Sequence, residues 1–270
     1  MQKTNDKNEL LVSCFDRLFA NNTLQKPLIF AFDEVDSTNT EAKLYAQGCG
    51  EGESRVALFF TRTQRAGRGT RMRTFESPRD GGLYMSLLVF PNERVDIATR
   101  ITMLSAVAVC KVIGKLLGDS ERAKIKWVND ITIEDKKLSG ILTEAKLDEC
   151  GVARYVIIGI GVNLTPKAHS DEVRAIMTCL DEHGVNITPE ELCALITEEL
   201  LLSFTRDDYN FLNEYRRLCS VIGKDISVFT ANGSYPARAL GIADDGALTI
   251  EKENGEIENL ISADVSIRPI

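Results

Sequence analysis

The sequence predicts an α+β fold in two parts: interleaved helices and strands over residues 1–220, then a small antiparallel barrel of SH3 type over 221–270. Three observations predict it. Apolar residues recur at helical spacing in some stretches and form short strand-like runs in others. The middle of the chain reads as a β-meander. After residue 221 the pattern changes to short strands separated by Asn232-Gly233, Asp245-Gly246 and Asn254-Gly255. Such dipeptides supply the positive φ that tight hairpins need.

The elements follow in order. Leu11, Cys14, Phe15 and Leu18 lie on one face of a helix over 7–20. Pro27 punctuates, and LIFAFDEV (28–35) reads as a buried strand. Thr38 and Glu41 form a T-x-x-E capping box that starts a helix ended by Gly48. RVALFFTRTQ (55–64) and LYMSLLVF (83–90) are strands on either side of a loop rich in glycine and arginine. Residues 97–117 form a long helix closed by Gly118. KIKWVNDITI (124–133), KLSGILTEAK (137–146) and RYVIIGIGVNL (154–164) make the meander. Helices follow over 171–182, over 188–204 with Thr188 as N-cap and Pro189 at N1, and over 209–219. The strands ISVFT, ARALGIA, ALTIEK, IENLI and VSIRP build the barrel.

Composition narrows the function. The 270 residues carry 32 Lys+Arg against 40 Asp+Glu, a net charge of −8. That balance argues against a general nucleic-acid binder. The seven cysteines include no C-x-x-C, and only two histidines are present. This argues against a structural zinc site and fits reduced thiols in a cytoplasmic protein. No secretory signal is apparent, and the apolar stretch 101–117, which contains Lys111 and Lys115, is too short and polar for a membrane span.

Four stretches could carry chemistry. In TRTQRAGRGTRMRTFESPRDGG (61–82), Arg62, Arg65, Arg68 and Arg71 fall three apart. A solvated helix face would explain that spacing, but Gly67 and Gly69 weaken a helix by ~1 kcal/mol each. Glycine backbone and guanidinium forks suit an anion-binding loop, although the P-loop pattern is absent. In KWVND (126–130) and KKLSGIL (136–142), Lys137 precedes Gly140, a cation beside a residue that admits ligand. The plain alternative is a solvated turn with Trp127 in the core. VDSTN (35–39) sits at a strand-to-helix junction, either as a simple N-cap or as a polar pocket. GIGVN (159–163) places two glycines in a strand, for tight packing or for close approach of a ligand.

Together these stretches carry a resemblance. D-S-T-N, Q-x-A-G-R-G, F-x-S-P with G-L-Y-x-S, K-W-x-N-D, K-L-x-G-I-L and G-x-G-x-N-L occur here in the order and approximate spacing of the biotin protein ligases. The motifs span residues 28–165, and the terminal barrel extends the resemblance to 270. The resemblance implies a mixed β-sheet flanked by helices, like the catalytic fold of class II aminoacyl-tRNA synthetases, followed by the SH3-like barrel. Only some 27 residues precede the first strand, too few for the DNA-binding winged helix of some members. A single-function ligase that binds no DNA and no membrane is expected, as a monomer or homodimer.

The resemblance further implies formation of biotinyl-5′-AMP from biotin and ATP with Mg²⁺. Biotin then passes to a lysine of a biotin carboxyl carrier protein or biotin-dependent carboxylase. Ser37, Thr38 and Asn39 would line the ureido end of the biotin pocket, with Gln64 at its other side. Arg68, with Gly67 and Gly69, would meet the carboxylate and later the phosphate, beside Thr70. Lys137 would contact the carboxylate and α-phosphate and, with Arg68, carry catalysis. Gly140 and Gly159–Gly161 would form the floor. Asn129 and Asp130 would place ATP, with Asp130 the magnesium candidate. Asn163 would approach the adenosine, Arg71 the nucleotide, and Arg268 the nucleotide or the carrier. A loop over 65–75 that orders on binding would shield the reactive adenylate.

Three positions depart from the family pattern. Thr70 replaces an arginine, and Met72 a glycine, in the usual G-R-G-R-x-G-R-like run. Unless Arg71 takes that arginine's place, the adenylate would be held less tightly. Val128 replaces the proline more usual in K-W-P-N-D. The arginines at 62–79 would give a local positive patch that draws in an acidic carrier. The rival readings are a lipoate or octanoate ligase on the same scaffold, a non-catalytic biotin sensor, and a nucleic-acid-binding loop protein.

Overall fold

The computed structural model describes residues 6–20, 24–49, 55–70, 73–91, 97–166, 169–205, 210–230, 233–261 and 264–267. A seven-stranded sheet has the order β1-β2-β3-β7-β6-β5-β4. Its strands are β1 (Leu28–Phe32), β2 (Ala57–Thr61), β3 (Gly82–Val89), β4 (Lys124–Lys126), β5 (Asp130–Ile133), β6 (Lys136–Leu147) and β7 (Ala153–Asn163). β1 and β2 are parallel, with helix α2 (Thr38–Gly48) between them in the chain, and the other pairs are antiparallel. The sheet is therefore mixed, as expected.

Period-2 alternation divides its two faces. Leu58, Phe60, Leu83, Met85, Leu87, Ile158, Ile160 and Val162 belong to the main core. On that side lie α1 (Asp6–Phe19), α3 (Ile97–Leu117), α5 (Pro189–Phe204) and α6 (Phe211–Leu218). The other face carries a smaller cluster beneath α2, made of Ala42, Ala46, Ala57, Phe59, Leu88, Tyr155 and Ile157. Phe59 stacks on Phe30 there, with ring centroids 5.0 Å apart.

A second, five-stranded antiparallel sheet has the order β11-β10-β9-β8-β12. It comprises β8 (Asp225–Thr230), β9 (Gly233–Ile242), β10 (Leu248–Lys252), β11 (Ile257–Leu260) and β12 (Asp264–Ile267). Gly246 and Gly255 take positive φ at their hairpins, which the dipeptides foretold.

Three local expectations need correction. Thr38 does not cap α2. It is the first helical residue, Ser37 holds the N-cap position, and no side-chain capping bond forms there. The Thr38 N–H and hydroxyl turn instead toward Gln64, at 2.9 and 3.3 Å. Residues 124–133 are a hairpin, with Lys126 paired to Asp130, rather than one strand. The turn contains neither glycine nor proline. Partners remote in sequence hold it: Tyr215 donates to the Val128 carbonyl at 3.0 Å, and the Trp127 indole donates to the Gly246 carbonyl at 3.1 Å. Residues 171–182 give only a one-turn helix, α4 (Asp171–Arg174), and the start of a 3-10 turn (Leu180–His183). Between them the chain pairs with the start of β6, through Lys137 N–H to Ile176 and Thr178 N–H to Lys137. A helix would have to give up that pairing.

The capping box that does form is at α5. The Thr188 hydroxyl accepts from the Glu191 N–H at 3.2 Å, and the Glu191 carboxylate accepts from the Thr188 N–H at 3.3 Å. The helix buries Leu192, Cys193, Ile196 and Leu200 against the core. Thr188→Ala should lower unfolding free energy by about 1 kcal/mol. Urea unfolding should show a reduced midpoint with an unchanged m-value; an unmoved midpoint would deny the box any role.

Candidate functional site

The site begins as a trough in the sheet. Gly161 of β7 pairs with Gly140 of β6 and Tyr84 of β3, and Gly159 pairs with Leu142 and Ser86. With no Cβ on these glycines, groups from above descend onto the strands. A Cβ on Gly159 would lie 2.2 Å from Asn39 Oδ1, and one on Gly161 would lie 2.5 Å from the Phe75 ring. Both contacts are impossible for any other residue type without displacement.

The N-terminus of α2 sits over one end of the trough. Ser37, Thr38 and Asn39 are buried. Asn39 donates to the Glu144 carboxylate at 2.8 Å and to the Leu142 carbonyl at 3.3 Å. The Ser86 hydroxyl lies 2.6 Å from Asn39 Oδ1 and 2.7 Å from the Thr38 hydroxyl. Gln64 accepts from Thr38 and donates to the Ser77 hydroxyl at 2.9 Å. This network joins α2, the loop after β2, and strands β3 and β6 into one polar wall.

Two cations reach the same cavity, each already paired. Arg68 donates to Glu144 at 2.9 Å, and Lys137 to Asp130 at 2.6 Å. Lys137 also lies 5.8 Å from the centroid of the Phe75 ring, within cation–π range. The Asn129 amide donates to the Ile141 carbonyl at 2.7 Å, fixing the start of β5 against β6. The cavity measures about 640 Å³. Ser37, Thr38, Asn39, Gln64, Arg68, Gly69, Thr70, Asn129, Asp130, Lys137 and Gly140 all line it.

Two residues expected at the site do not line the cavity. Asn163 donates to the Lys137 and Thr178 carbonyls at 3.3 and 3.2 Å, so it holds the backbone that carries Lys137. Gly67 sits at the base of the loop, where its carbonyl accepts from the Phe75 N–H at 2.9 Å. Arg71 and Arg268 lie outside the described residues.

Phe75, Glu144 and Ser86 are residues the sequence reading missed. Phe75 carried a signal, as the first residue of F-x-S-P. Ser86 carried one too, as the last residue of G-L-Y-x-S, whereas Glu144 carried none beyond its period-2 register with Gly140. The second sheet also lines the cavity, through Phe229, Val265 and Ser266, as does Ile261 just after β11.

Nearby ionisable groups anchor the loop. Burial opposes ionisation of Glu76, but hydrogen bonds from the Ser170 N–H and from His169 outweigh it and hold the carboxyl below its ordinary value. Burial drives the Tyr84 phenol far above its ordinary value, so its hydroxyl stays protonated and donates to the Pro78 carbonyl. The expected positive patch does not survive at three of its arginines. Arg62 pairs with Glu190 and Asp80, Arg65 with Asp36 and Glu34, and Arg68 with Glu144.

Comparison with known proteins settles the family. Residues 32–163 match the biotin/lipoate A/B protein ligase family, and residues 221–268 match the biotin protein ligase C-terminal domain. The bifunctional ligase/repressor BirA of Bacillus spizizenii is 34% identical over 247 residues, covering 87% of this chain and 72% of the relative. The biotin–[acetyl-CoA-carboxylase] ligase of Paracoccus denitrificans is 32% identical over 233 residues, covering 82% and 93%. The chain belongs to the biotin protein ligase family.

This ligase also shares the family's fold. The biotin protein ligase of Aquifex aeolicus, solved in complex with biotin and ATP, aligns with a TM-score of 0.70 at 24% identity, covering 89% of this chain and 98% of that one. No helix among the described residues is long and apolar enough to cross a membrane.

The trough makes a direct prediction for the ligase. Gly161→Ala places a methyl group where the Phe75 ring rests. Overpacking of this kind costs about 1–3 kcal/mol. The variant should unfold at lower urea, and ring resonances of labelled Phe75 should shift. A wild-type midpoint with unshifted Phe75 signals would show that the trough tolerates a Cβ.

Proposed function

We propose that this ligase joins biotin to ATP, giving biotinyl-5′-AMP and pyrophosphate, and then passes biotin to one lysine of a biotin carboxyl carrier domain. The observation that carries this reading is the convergence of Lys137 and Arg68 on one glycine-floored cavity with a polar wall at one end. A carboxylate must attack an anionic α-phosphate, and the repulsion between them is the main obstacle. Cations held where that charge develops lower the barrier.

The polar groups of Ser37, Thr38, Asn39 and Gln64 suit the ureido head of biotin. Gly140, Gly159 and Gly161 leave room for its body. Arg68, beside Gly69 and Thr70, exchanges Glu144 for the substrate carboxylate, and Lys137 exchanges Asp130 for the α-phosphate. In the second step the carrier amine bonds to the acyl carbon. The acyl–phosphate C–O bond breaks, AMP leaves with the electron pair, and the amine loses a proton.

Asp130 fits magnesium that arrives with ATP. Mg²⁺ needs only one or two protein carboxylates when phosphates and water complete its shell. Among the described residues no cluster of three or more His, Cys, Asp or Glu side chains could hold a metal unaided. Bound there, the ion would neutralise phosphate charge, while Lys137 and Asn129 orient the reacting groups.

We assign the chemistry to residues 1–220 and treat 221–270 as a separate small domain that completes the cavity wall. The seven free thiols suit a reducing cytoplasm.

Mass spectrometry after mixing protein and MgATP with biotin, lipoate or octanoate tests the reading. Biotinyl-AMP alone is expected. Lipoyl- or octanoyl-AMP would transfer the assignment to the rival acids, and no adenylate would favour a sensor. Lys137→Met should slow biotinyl-AMP formation by on the order of a hundredfold; an undiminished rate would remove Lys137 from the chemistry.

Thr70 bears on retention of the intermediate. It lines the cavity but offers one hydroxyl where a guanidinium could offer a fork. Thr70→Arg should reduce the fraction of biotinyl-AMP recovered in solution. An unchanged partition between solution and protein would show that this position does not govern escape.

A further inference from the structure

Trp127 is the chain's one tryptophan, and it occupies an unusual place. It lines the cavity, yet its indole N–H leaves the seven-stranded sheet and donates to the carbonyl of Gly246, at the β9–β10 hairpin of the second sheet. That hairpin is tightly seated. Gly246 has φ +88°, and a Cβ on it would lie 2.6 Å from the Met103 sulfur of α3. Arg216 of α6 grips the same hairpin, through the Ile242 carbonyl at 2.9 Å and the Asp244 carboxylate at 2.6 Å.

The next residues face the cavity. Val128 is held by the fully buried Tyr215, through its carbonyl. Asn129 accepts from the Ile141 N–H at 3.0 Å and returns a side-chain bond to the Ile141 carbonyl. Asp130 holds Lys137. Consecutive Cα atoms are about 3.8 Å apart, so a displaced Trp127 has little slack before Asn129 and Asp130 follow it.

We infer that the second sheet sets the position of Asn129 and Asp130 in the cavity wall through the Trp127–Gly246 hydrogen bond. Trp127 is thus a positioning residue for the nucleotide step. The nucleotide part of this inference rests on the adenylation reading above; the mechanical coupling does not.

Trp127→Phe keeps an aromatic ring in the core and removes the N–H. Amide hydrogen exchange on the full-length protein without ligand reads the coupling directly. The Ile141 N–H, bonded to the Asn129 carbonyl, should exchange about tenfold faster, the order expected for one lost buried hydrogen bond. The Ile158 N–H, in the β3–β7–β6 ladder, should stay protected. In biotinyl-AMP synthesis the KM for ATP should rise with the KM for biotin unchanged.

Gly246→Ala guards against a folding failure of the first variant. Its methyl group meets Met103 and should displace the hairpin. It should reproduce both effects and shift the emission of the lone tryptophan. Unchanged Ile141 exchange in a folded variant would overturn the coupling. So would faster exchange across the whole sheet with both KM values rising together, because that pattern is general loosening. If the wild-type protein forms no adenylate with any acid, the ligase reading falls, and the exchange measurement still decides the coupling.

Discussion

The register of three glycines is the constraint on which the rest of the site depends. Gly140 and Gly161 stand opposite each other on β6 and β7, and Gly159 is two residues along the same face. Strand glycines weaken a sheet, because they lose more backbone freedom on folding and pack nothing. Here they lie in the two longest ladders of the sheet, β6–β7 and β3–β7, where Ile158, Ile160 and Val162 pack into the main core from the opposite face. The stability of one face permits a bare channel in the other. Asn39 and Phe75 then fill it from two different segments, and their approach fixes where α2 and the loop after β2 must lie.

Charge is arranged on the same logic. Arg68 and Lys137 are each satisfied by a carboxylate of the chain, so the cavity carries compensated rather than free positive charge. Partly exposed pairs of this type are worth about 0–1 kcal/mol. In the proposed function, an entering carboxylate or phosphate would displace Glu144 or Asp130 at small cost and find its own partner in place. The arginine row outside the cavity is compensated in the same way at Arg62 and Arg65. Long-range attraction of an acidic partner is correspondingly weaker than the bare arginine count suggests.

Much of this was legible in the sequence, and the exceptions share a cause. The strands of the central meander, the α5 cap and the hairpins of the second sheet follow from local pattern, and the structure agrees. The hairpin at 126–130 does not, because its turn is held by Tyr215 and Gly246, far away in the chain. The break at 171–182 depends on Lys137 in the same way. Thr38 satisfied a capping pattern, but Gln64 offered its backbone N–H a different partner. At the site, motif order brought most lining residues together. Glu144 was invisible because its importance comes from Asn39 and Arg68, which reach it from segments far away in the chain.

The loop after β2 shows how these constraints combine. Its base is tied on both sides: Gln64 N–H to the Ser77 carbonyl, Arg65 N–H to Val35, and Ala66 N–H to Asp36. Gly67 and Phe75 close a hairpin above that base, and Gly69 N–H bonds to the Arg73 carbonyl nearer the tip. Glu76, ionised and gripped by Ser170 and His169, anchors the returning segment of chain. Rotating the base would break several of these bonds and lift Phe75 from its trough. In the proposed function, exchange of Arg68 from Glu144 to a substrate carboxylate would be a side-chain movement above this tied base. In the same proposal, the tied base, with the floor and polar wall it supports, would hold a water-sensitive intermediate in position.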